Sequence, residues 1–145
     1  MTCISRYSYS ASIRLVIVCV AMLSAGHGKA ADGWLFEAPH KTLLGRLLEQ
    51  AALYDTYNRR CRGFRSSTYM ENVSRLTVEK YGLTATQLVD QLWHIPLDSF
   101  RRKMDERFLK DVRSLGGCKQ SKQQGYLDKL REDYWSLRRR AESEP

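Results

Sequence analysis

The sequence predicts an all-α fold: a small bundle of four or five helices stapled by one disulfide. Three observations carry this. Apolar residues recur every three or four positions from Leu44 to Leu137. No stretch alternates in the manner of a half-buried strand. Once an N-terminal leader is set aside, Cys61 and Cys118 are the only cysteines left.

The leader is read from the first thirty residues. Arg6 and Arg14 stand near the front, an apolar run continues to Leu23, and "SAGHGKAADG" supplies a small-residue exit. That order is a secretory signal peptide, with cleavage expected after Ala30. The apolar run is too short for a stable bilayer span, so no transmembrane anchor is expected after cleavage. Residues 31–145 are then one helical domain. The loss of Arg6, Arg14 and Lys29, with no acidic residue, lowers the net charge from +8 to +5. Cys3 and Cys19 leave with the leader. In an exported chain the remaining pair reads as a structural disulfide. Chain-entropy theory puts its contribution at about 4 kcal/mol for a loop of this size. The two cysteines lack the CxxC spacing of a redox pair.

The elements follow in order. The first helix is expected from about Thr42 to Cys61, with Leu44, Leu47, Leu48, Ala51 and Tyr54 inward, Pro39 just outside its start and Gly63 at its end. "SSTYMENVSRLTVEKYG" predicts a second helix, with Ser67 as its cap, Val73 and Leu76 inward, and Gly82 as its stop. Thr84 and Gln87 have capping-box spacing at the start of a short third helix, which Pro96 ends. Leu97, Phe100, Met104, Phe108, Val112 and Leu115 make the fourth, capped by Asp98 or Ser99 and stopped by Gly116-Gly117. A last helix opens at Cys118 and carries Leu127, Leu130, Tyr134 and Leu137 on one face. Cys61 ends the first helix and Cys118 opens the last, so the bridge pins these termini together.

The segment that opens at Cys118 resembles the end of the HdeA-type acid-stress chaperones of the bacterial periplasm. Cys118, Gln120, Lys122, Gln123, Tyr126, Asp128, Lys129 and Leu130 carry the resemblance. Cys61 and Phe64 are similar to the family's first cysteine segment. The resemblance implies a small secreted helical protein with one disulfide, acting as a holdase that exposes apolar surface at low pH. It implies no catalytic residue. Two features depart from it: a whole helix over residues 39–60 precedes the first cysteine, and the segment between the cysteines is longer than expected.

Chemistry-bearing motifs are sparse. There is no HExxH, GxSxG, P-loop or dinucleotide glycine pattern. No catalytic residue, metal ligand or cofactor is expected. His40 reads as a solvated flanking residue and His94 as a helix-end residue. The carboxylates alternate with Arg and Lys on helix surfaces, where they serve solubility. Arg59, Arg60, Arg62 and Arg65 cluster around Cys61, flanked by Tyr54 and Tyr57. These six are the candidate partner contacts, with the tyrosines alternatively at the edge of the core. Further basic runs cover the fourth helix and, as Arg138–Arg140, the end of the last.

Export argues against nucleic acid and favours a protein partner or an anionic envelope surface. The expected function is a non-catalytic interaction or accessory protein of the periplasm or extracellular space, chaperone-like if the resemblance holds. Two alternatives stand beside it: an inhibitor or immunity-type protein that binds a secreted enzyme, and a small envelope hydrolase, which needs carboxylates in a cleft.

Overall fold

The computed structural model describes residues 38–144. The expected signal peptide lies outside the described residues, as do residues 31–37 of the expected domain. All described elements are helices: α1 (Ala38–Arg62), α2 (Thr68–Tyr81), α3 (Ala85–Trp93), α4 (Leu97–Ser114), α5 (Cys118–Gln123) and α6 (Tyr126–Ser143). The chain is an all-α bundle closed by the Cys61–Cys118 disulfide, with the two Cα atoms 5.4 Å apart.

α1 is the axle. It packs against α2, α3, α4 and α6. Every residue from Ala51 to Asn58 is buried, as a helix surrounded on all sides requires. The expected stripe of Leu44, Leu47, Leu48, Ala51 and Tyr54 is buried throughout. The helix begins earlier than its spacing suggests, with Pro39 inside the first turn rather than before it. A proline there removes no helical hydrogen bond. Gly63 takes φ +74°, and the Phe64 N–H reaches back to the Asn58 carbonyl. That is the expected stop.

The caps divide into local and distant ones. Thr84 and Gln87 form the predicted capping box at α3. Ser67 stands at the N-cap of α2 but makes no capping bond with its side chain. Asp55 of α1 does that work: its carboxylate accepts from the N–H groups of Tyr69 (3.1 Å) and Met70 (2.9 Å). α4 starts from Pro96, so neither Asp98 nor Ser99 is its cap. The expected last helix is two helices, because Gln124 and Gly125 interrupt it and Gly125 has φ +76°. Leu130, Tyr134 and Leu137 face the core as predicted, while Leu127 is half-buried.

Two polar ties fasten the helices around α1. Asp105 of α4 accepts from Thr56 (2.9 Å) and pairs with Arg59 and Arg60 (3.1 Å to the latter). Lys80 of α2 donates to the carbonyls of Ala141 (2.8 Å), Glu142 (2.7 Å) and Glu144 at the end of α6. That ammonium sits where the exposed carbonyls carry partial negative charge.

Candidate functional site

The disulfide end of the bundle is the candidate site. Pairing Cys61 with Cys118 sets the end of α1 beside the start of α5, and the two glycines before Cys118 let the chain turn into that position. The result is a groove of about 470 Å³ between α1, α5 and α6. Its floor is the disulfide with Tyr54, Tyr57 and Leu127, and its walls carry Arg62, Lys119, Lys122 and Arg131. No carboxylate lines it.

The walls are held from below. Arg62 donates to Asn58 Oδ1 (3.1 Å), and its guanidinium lies 4.5 Å from the centre of the Phe64 ring. Arg131 pairs with Asp128 one turn earlier on α6 (2.8 Å), outside the groove lining. Among the described residues no ion pair engages Arg62, Lys119 or Lys122. Ser121, on the inner side of α5, is fully buried and donates to the Cys118 carbonyl.

The six sequence-predicted contacts separate. Arg59 and Arg60 turn to α4 and are engaged by Asp105. Arg62 enters the groove, and Arg65 is exposed in the connection to α2. Tyr54 and Tyr57 are 4% and 1% exposed, so they are core residues and do not form a projecting contact patch. Tyr54 stacks on Tyr69 at 4.0 Å between centroids and meets Tyr134 edge-on. Tyr57 packs edge-on to Phe108. Only the rims of the two tyrosines reach the groove floor.

Lys119, Lys122 and Arg131 were not singled out as contacts from sequence. Their signal lies across the bridge: once Cys61 and Cys118 are paired, residue 62 must neighbour residue 119, and residue 122 shares the face of 119 one turn on.

Elsewhere the titratable groups have structural work. His40 is half-buried rather than solvated, with Nε2 3.1 Å from Glu144 Oε2. His94 ends α3 with φ +53°, as a helix-end residue. Burial pushes the phenols of Tyr69, Tyr126 and Tyr134 upward, which keeps them neutral, and Tyr126 donates to Asp111 Oδ2 (3.2 Å). Among the described residues no group of three or more His, Cys, Asp or Glu side chains is placed to hold a metal ion, and no helix is long and apolar enough to cross a membrane.

No family model, no curated protein and no solved structure matches this chain. The likeness to HdeA-type chaperones is therefore carried by the quoted residues alone.

Proposed function

We propose that this protein is a non-catalytic accessory protein of the periplasm or extracellular space that binds a protein partner through the basic groove at its disulfide end. The observation that supports the reading is the groove itself: a concavity walled by four cations with no carboxylate in its lining. A site of one sign with low-dielectric walls concentrates field and attracts its complement. The leader-like first thirty residues and the disulfide both fit an exported protein.

The alternative of an inhibitor or immunity-type protein belongs to the same class and has its own support. A disulfide and the Asp105 clamp hold the groove-bearing end of α1 in one place, which suits a fixed interface with one partner. The holdase that the resemblance implies needs a bundle that loosens in acid and accepts many clients.

Affinity capture from periplasmic extract separates these, with Lys119→Glu/Lys122→Glu as the comparison. The expected result is one stoichiometric partner retained by the parent and lost by the variant. Retention of many denatured proteins, and only at low pH, would move the assignment to the holdase. No partner under either condition would remove both.

A further inference from the structure

We infer that the groove takes a short extended acidic segment of the partner, with carboxylates on its walls and an apolar side chain on its floor. The inference rests on the binding-module reading above and adds the chemistry of the ligand.

The walls dictate the charge. Arg62 presents a planar guanidinium that can donate to a carboxylate in bidentate fashion, Arg131 adds a second guanidinium shared with Asp128, and Lys119 and Lys122 present point charges one helical turn apart. With no carboxylate in the lining, and among the described residues no ion pair to Arg62, Lys119 or Lys122, three of the four wall cations meet no internal anion. The floor dictates the rest. Leu127, the disulfide and the rims of Tyr54 and Tyr57 form an apolar strip between the cationic walls. An apolar side chain set between acidic residues fits that cross-section.

The concave shape selects the source of the anion. A bilayer is a broad surface and meets a convex or flat basic face. A groove of about 470 Å³ admits a chain segment and holds a lipid headgroup layer off its floor. The occupant is therefore an acidic stretch of protein.

The test is fluorescence anisotropy with a short fluorescein-labelled peptide in which glutamates flank one phenylalanine. Its glutamine counterpart and phosphatidylglycerol vesicles serve as the other ligands. Lys119→Glu/Lys122→Glu alters the groove, and both side chains are exposed, so the bundle tolerates the change. Lys103→Glu/Lys110→Glu on the outside of α4 makes the same change in net charge away from it. Circular dichroism confirms that each variant is folded.

The expected result is saturable binding of the acidic peptide that weakens as salt rises and falls by about tenfold or more in the groove variant. The α4 variant should stay close to the parent. Equal binding of the glutamine peptide, or equal losses in the two variants, would overturn the proposal. Binding to the vesicles without binding to the peptide would overturn it in favour of a membrane surface. A captured stoichiometric partner that the groove variant loses, with no binding of the acidic peptide, would overturn the acidic-segment assignment and leave the binding-module reading standing. Absence of both peptide binding and any captured partner would end both.

Discussion

Asp55 sits on the buried side of α1, 4% exposed, and ties the start of α2 to the axle through two backbone N–H groups. Burial pushes its carboxyl up to about 6, against the downward pull of the Met70 and Tyr69 donors. Glu71 adds to the rise and Arg59 opposes it. A carboxyl held above its unfolded value contributes stability that is complete below about 4 and is lost as the pH rises through about 6. Lowering the pH from neutral to 5 should therefore firm the bundle through this group, by an amount on the order of 1 kcal/mol. Melting temperature measured between pH 7.5 and 5 should rise in the parent, and Asp55→Asn should flatten that rise. A parent that melts progressively earlier over this range would contradict the assignment and favour acid loosening.

The same residue marks a limit of sequence reading. A cap whose partners are three residues apart, such as Thr84 with Gln87, is visible in the chain. Asp55 caps donors 14 and 15 positions away, which no local pattern reveals. Tyr54 and Tyr57 pose the opposite difficulty. Their place beside four arginines reads equally as a contact patch or as the edge of the core, and the packing of α1 on all sides at that level takes both rings inward.

Among the elements, the helices with one clear apolar face were the most legible. Phe100, Met104, Phe108 and Val112 place α4 correctly because the spacing and the burial are the same fact. The division between α5 and α6 is less visible. Tyr126 and Leu127 follow Gly125 at once, and the apolar stripe from Leu127 to Leu137 disguises the break behind it. The end of α6 is governed by a residue from another helix. Arg138–Arg140 offered local compensation for its carbonyls, but Arg138 pairs with Glu142, and Lys80 makes the bonds. Lys80→Met keeps most of the unbranched stem and removes the ammonium. It should lower stability by about 1 kcal/mol and speed amide exchange at the end of α6, with α4 unchanged. Unaltered exchange near Ala141 would show that the ammonium contributes nothing there.

At the scale of the whole molecule, the bridge turns a one-dimensional pattern into a site. The basic residues around Cys61 and those after Cys118 are separate clusters in sequence, and the sequence alone offered only the first as a surface. The fold divides that first cluster, giving Arg59 and Arg60 to Asp105 and leaving Arg62 for the groove. The second cluster then supplies most of the wall. A disulfide that closes a long loop contributes about 4 kcal/mol at the upper end, and here it also forms part of the groove floor.

The central claim is that this end of the bundle is where the partner sits. Its most direct test is a hydrogen-exchange footprint of the oxidised protein with the partner captured from periplasmic extract. The account predicts slowed exchange at the end of α1, across α5 and over the first turns of α6, with α3 unaffected. Slowed exchange confined to α3 and the outer face of α4, with none at the disulfide end, would contradict it.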